Sequence, residues 1–161
     1  MLRLMGIYYV DTSVFIDREG LHKICRNNGN TYIIVGLVLG ELFSQILRCL
    51  IIPSDLFNIY SSISIELRKD CQFESPAHIN DVINCLIRNP NIKLKLEFDT
   101  EIIREFTNHL FEILKRDNRL EVSDAMILAI ALADKEADGF ITIEKKLVNS
   151  KGILFLKRVM A

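Results

Sequence analysis

The chain has 161 residues, half of them apolar and a quarter charged. That is enough for one well-filled core, and a single domain over residues 1–161 is expected. Twenty basic against twenty-one acidic residues leave a net charge of −1, which excludes a broad basic surface, so phosphate contacts have to come from a local patch or a bound cation. Glu41 interrupts the longest apolar run, residues 32–53, and the first residues lack the charged start, apolar stretch and cleavage site of a signal peptide. The expected location is the cytoplasm, with no membrane partner.

In chain order, residues 7–10 (Ile-Tyr-Tyr-Val) form a short run of β-formers that stops at Asp11-Thr12-Ser13. This reads as a buried strand meeting a helix start, Thr and Ser being good caps. Residues 32–36 repeat the pattern and lead into an apolar helix over 38–50 that ends before Pro53. Two helices are expected between residues 54 and 89. The first carries Ile59, Ile63 and Leu67; the second opens at Ser75-Pro76 and carries Ile79, Val82, Ile83 and Leu86. Ile92, Leu94, Leu96 and Phe98 alternate with charged residues, which predicts a strand with one wet face at a sheet edge. Asp99-Thr100 starts a helix whose Ile102, Ile103, Phe106, Leu110, Ile113 and Leu114 make one stripe. Residues 124–137 are apolar all round, as in a buried helix. Residues 140–143 and 153–156 are two further short strands.

Strands alternating with helices give an α/β fold with a mainly parallel sheet. The four cysteines, Cys25, Cys49, Cys71 and Cys85, contain no C-x-x-C pair and lie near no histidine at zinc-ligand spacing. They read as buried free thiols, a disulfide framework calling for a secreted context. His22, His78 and His109 are scattered, with no sequence partner that suggests a nucleophile and its base.

In an open parallel sheet, ligands bind beyond the C-terminal strand ends, and acids dominate that short list. Asp11 follows the first strand, and Glu144 follows the strand at 140–143. Glu41 sits inside an apolar helix with no Lys or Arg one turn away, and Asp124 opens the most apolar helix. Each has an ordinary alternative; Ser123 or Asp124, for instance, would suit a helix cap or the helix dipole. Converging on one rim, they would repel one another unless a hard divalent cation lay among them. A carboxylate site without His or Cys selects Mg²⁺ or Mn²⁺, and the matching chemistry is phosphodiester hydrolysis by metal-activated water. Asp11 and Asp124 would be direct ligands, and Glu41 a ligand or an orienting group for water.

At these residues the sequence resembles the PIN-domain family of metal-dependent ribonucleases. The matching pieces are Tyr9-Val10-Asp11-Thr12-Ser13, Val38-Leu39-Gly40-Glu41-Leu42, the seven residues from Ser123 to Ala129, and Ile141-Thr142-Ile143-Glu144. They occur in the family's order from residue 7 to about 157. The resemblance implies a five-stranded parallel sheet in a three-layer α/β/α sandwich, with Mg²⁺ or Mn²⁺ as cofactor and RNA as substrate. Its metal site would comprise Asp11, Glu41, Asp124 and Glu144, with Ser13 and Thr142 holding ligands or waters by hydrogen bonds. Many relatives are toxins of toxin–antitoxin pairs and many form homodimers, which makes an antitoxin and a second copy of the chain candidate partners. Glu144 departs from the family, which has Asp there; Asp138 would lie at the opposite end of the sheet.

Two other readings stand beside this one. A catalytically weak or inactive binding module would keep the fold and drop the activity. A phosphatase-like hydrolase would use Asp11 as nucleophile but wants a second Asp where Ser13 stands. Lys145 and Lys146, and likewise Arg116 and Arg119, suit a solvated helix face or a phosphate-steering role. Tyr8, Tyr9 and Tyr32 suit packing or base stacking. The stripes at 59–67 and 79–86 suit packing or an interface.

Overall fold

The computed structural model describes residues 5–26, 29–50, 72–116, 120–143 and 159–160. In chain order these form β1 (Ile7–Val10), α1 (Thr12–Ile16), α2 (Arg18–Cys25), β2 (Thr31–Val35), α3 (Gly36–Leu50), α4 (Pro76–Arg88), β3 (Ile92–Lys95), α5 (Thr100–Arg116), α6 (Val122–Ala133), β4 (Gly139–Ile141) and β5 (Val159–Met160). The expected helix carrying Ile59, Ile63 and Leu67, and the expected strand at 153–156, lie outside the described residues.

The sheet is parallel throughout, in the order β3-β2-β1-β4-β5. Four strands of three to five residues make its body, and β5 adds two residues beside β4. Five full strands, as the family resemblance implies, are therefore not found among the described residues. From β1 to β2 to β3 the chain steps in one direction across the sheet; from β3 it returns past β1 to β4. Right-handed crossovers then place α1–α4 on one face and α5–α6 on the other. The contacts of α2 with α4 and of α5 with α6 agree with those two layers. No helix among the described residues is long and apolar enough to cross a membrane.

The core follows the apolar periodicities. Tyr8, Tyr9, Val10, Tyr32, Ile34 and Phe140 are all buried, so the three tyrosines pack rather than offer faces to bases. Val38, Leu42 and Ile46 form the buried stripe of α3, and Ile79, Val82 and Cys85 that of α4. The Ser75 hydroxyl caps α4 by accepting from the His78 N–H at 3.2 Å, with Pro76 at the first helical position, as its sequence signature requires. Helix α6 is apolar all round and buries Ala125, Ile127, Leu128, Ala129 and Ala131. Asp138 lies at the N-terminal edge, where its N–H donates to the Ile7 carbonyl and its carboxylate accepts from the Ile7 N–H.

Three expectations need correction. Ile103, expected to share one stripe with Ile102, Phe106, Leu110, Ile113 and Leu114, is more than half exposed, and α5 buries only Ile102 and Ile113 of that stripe. The alternation at 92–98 does not sort by polarity, since Leu94 and Leu96 are exposed while Lys95 is drawn in. The reason is Asp134. Its carboxylate accepts from the buried Tyr9 hydroxyl at 2.6 Å, from Lys95 Nζ at 3.3 Å and from the Glu136 N–H at 3.0 Å, and a lysine that pairs a buried carboxylate outweighs a hydropathy pattern.

The third correction concerns the cysteines. Cys25, at the end of α2, is disulfide-bonded to Cys85 in α4, with Cα atoms 5.7 Å apart and a sequence separation of 60. Cys49 is likewise disulfide-bonded. The free-thiol reading rests on local spacing and on the absence of a secreted context, whereas the two sulfurs meet because α2 and α4 lie side by side in one layer.

Two stability predictions follow from these contacts. Burial pushes the Asp134 carboxyl up, but the Tyr9 hydroxyl, the Glu136 N–H and Lys95 together hold it below the usual aspartate range. Its stabilisation is therefore complete above the unfolded-state pKa and fades as pH falls through the lower folded-state value. Asp134→Asn should cost about 2 kcal/mol at neutral pH in denaturant unfolding, and the gap from wild type should close on acidification. A Cys25→Ala/Cys85→Ala chain should lose about 4 kcal/mol relative to the oxidised protein, the loop-closure value for a bridge of this span; an equal midpoint in urea would show that the bridge does not stabilise the fold.

Candidate functional site

Strand order reverses direction between β1 and β4, the switch point at which parallel α/β sheets leave a crevice beyond their C-terminal ends. Asp11 stands there. Its N–H donates to the Ile141 carbonyl at 2.9 Å, so the β1–β4 ladder runs one residue past β1 and fixes the Asp11 backbone. The residue is only 2 % exposed. Its Oδ2 accepts from the Ser13 hydroxyl at 2.7 Å and from the Thr142 hydroxyl at 3.0 Å; the two hydroxyls lie 3.3 Å apart, and Ser13 Oγ also accepts from the Ile143 N–H. Ser13 and Thr142 are thus orienting donors rather than caps. The N-cap of α1 is Asp11 itself, with its side chain free of the cap role.

Glu41 arrives from α3. With Val38, Leu42 and Ile46 facing the core, the helical period turns Leu37, Gly40, Glu41, Ser44, Gln45 and Arg48 toward a cleft of about 860 Å³. The Thr12 hydroxyl donates to Glu41 Oε2. This answers how an acid in an apolar helix is accommodated: one oxygen is hydrogen-bonded from α1 and the side chain borders the cleft. Burial pushes the Glu41 carboxyl above its ordinary range; the Thr12 hydrogen bond opposes this, and the charges of Asp11 and Glu121 add to it.

Asp124 lines the same cleft from the first turn of α6. It does not cap that helix, whose N-cap is Glu121 with no side-chain cap bond, but an acid in the first turn suits the dipole. Asp11, Glu41 and Asp124, 113 positions apart at the extremes of the sequence, therefore share one cleft, and Ser13 borders it as well. Glu144, Lys145, Lys146 and Arg119 lie outside the described residues. Arg116 forms an ion pair with Glu112 one turn earlier on α5.

Sequence reasoning missed four residues here. Glu121 adds a further acid to the cleft, and its spacing of three from Asp124 on a helix start is a signal that could have revealed it. Thr12 was taken for a cap and instead positions Glu41. Gln45 and Arg48 were passed over, because the polar flank of an amphipathic helix looks alike whether it meets water or a ligand.

The donors are all oxygens, which suits Mg²⁺ or Mn²⁺. Among the described residues, no three Asp, Glu, His or Cys side chains close on one point as a ready-made cage. Such an ion does not require one: it keeps several waters and is held by one or two carboxylates together with substrate phosphate oxygens. A desolvated Glu41 beside two further carboxylates is the observation that fits a cation, because added positive charge would relieve both burial and repulsion.

An acid whose folded-state pKa is raised costs nothing when both states are protonated. It weakens the fold once the unfolded state ionises first, so the penalty grows as pH rises from the unfolded value through the folded one. Glu41→Gln should therefore raise the melting temperature at neutral pH and leave it unchanged below about pH 4; a lowered midpoint at neutral pH would contradict this account of Glu41. No family model, curated protein or solved structure matches this chain.

Proposed function

We propose that this chain is a Mg²⁺- or Mn²⁺-dependent endoribonuclease of the PIN-domain kind. The reading rests above all on Asp11, a carboxylate buried at the sheet's switch point, gripped on one oxygen by Ser13 and Thr142, and bordering a cleft that Glu41 and Asp124 also line. The near-neutral charge of the chain agrees with it, since a substrate polyanion would be met by cations rather than by a basic face.

In this mechanism Asp11 and Asp124 would hold the ion, and Glu41 would share it or orient the attacking water. When bound, the cation lowers the pKa of water and offsets charge on the phosphate oxygens. The protein's own part is positional. Ser13 and Thr142 keep the Asp11 carboxylate turned one way, and Thr12 orients one oxygen of Glu41. A raised Glu41 carboxyl is suited to take up a proton as water becomes the nucleophile. Glu144, on the chain just beyond Thr142 and Ile143, would complete the acid set. An antitoxin, a second copy of the chain and a cytoplasmic location belong to the same reading.

The experiment compares wild type with Asp11→Asn on single-stranded RNA in Mn²⁺. The substitution should lower the cleavage rate at least a hundredfold, about 3 kcal/mol of transition-state stabilisation. Equal rates would remove Asp11 from the mechanism. RNA retained by wild type without any cleavage would favour the binding-module reading instead.

A further inference from the structure

Four acids, Asp11, Glu41, Glu121 and Asp124, line the cleft. Along α3 the same flank continues through Ser44 and Gln45 to Arg48. At 1.5 Å per residue, Gln45 lies about 6 Å and Arg48 about 10 Å beyond Glu41 along the helix axis. Two observations on this stretch call for a ligand. The Gln45 amide oxygen is buried and has no hydrogen-bond partner within the protein, an arrangement that costs free energy unless a water, or a ligand met by a turn of the amide toward the cleft, supplies a donor. Arg48 is exposed, lines the cleft and forms no ion pair among the described residues, although its neighbours in the cleft include several carboxylates. It is the one cationic side chain among the described residues that line the cleft, about two helical turns along α3 from Glu41.

We propose that the cleft-facing flank of α3 is the track along which a single strand of RNA is held, with Arg48 on a backbone phosphate and the Gln45 amide on a base edge between Arg48 and the acids. Guanidinium suits phosphate oxygens by charge and by paired donors. A carboxamide carries a donor and an acceptor side by side, the pattern that base edges present. A single strand exposes those edges, whereas a duplex buries them in pairing. A phosphate at Arg48 places the next one toward Glu41 and Asp11, so the track feeds the chain to the acids with a fixed polarity. Base contact at Gln45 makes this residue a determinant of sequence preference, while Arg48 contributes affinity irrespective of sequence.

This inference rests on the RNA-cleaving reading for its choice of ligand, and the test keeps the two apart. In an Asp11→Asn background with Mg²⁺, binding of a short, labelled, random-sequence single-stranded RNA is followed by fluorescence anisotropy. Adding Arg48→Ala should weaken binding about tenfold and make the dependence of log K on log salt shallower by about one, and Arg48→Lys should restore most of the affinity. Adding Gln45→Leu should flatten the base preference among RNAs retained from the random pool. Unchanged affinity, salt slope and base preference in both variants would overturn the track and leave the nuclease reading intact. Binding that depends on Arg48 and Gln45 in a chain whose wild type cleaves nothing would uphold the track and end the nuclease reading. No RNA binding at all would overturn both.

Discussion

Two hydroxyls on one carboxylate oxygen hold the site together. Ser13, from α1, and Thr142, just past β4, both donate to Asp11 Oδ2, while the Asp11 N–H reaches back to Ile141. These bonds join the ends of two strands that are distant in sequence, adjacent in the sheet and departing in opposite directions around it. Without them the end of β1 would carry a buried charge with no partner, which proteins avoid at a cost of several kcal/mol. The position of Asp11 is thus set jointly by sheet topology and by two short polar side chains.

Around that fixed point the cleft is electrostatically lopsided. Glu41, Asp124 and Glu121 add negative charge to that of Asp11, and Arg48 is the one cationic side chain among the described residues of the lining. In water such a distribution would be screened within about 10 Å. At close range it matters more: burial raises the Glu41 carboxyl, and the charges of Asp11 and Glu121 add to the rise.

Much of this was legible in the residues themselves. Strand β1, the Ser75-Pro76 start of α4 and the all-apolar α6 follow from local patterns strong enough that packing had nothing to override. Asp11, Glu41 and Asp124 were legible as a set because each follows or interrupts an apolar element at the C-terminal side of the sheet. The misreadings share a cause, which is that they depend on partners far away in sequence. Lys95 turns inward because Asp134, 39 positions on, offers it a carboxylate beside the Tyr9 hydroxyl. Cys25 and Cys85 bond because two helices of one layer run together. No window of sequence contains both members of any of these pairs.

The Cys25–Cys85 bridge also has a topological consequence. The segment it closes includes β2 and all of α3, hence Glu41, Gln45 and Arg48, whereas Asp11, Asp124 and Thr142 lie outside the ring. A single backbone nick anywhere between the two cysteines would leave the halves of the cleft covalently tethered. The severed chain would migrate as one species until a reductant released it as two fragments.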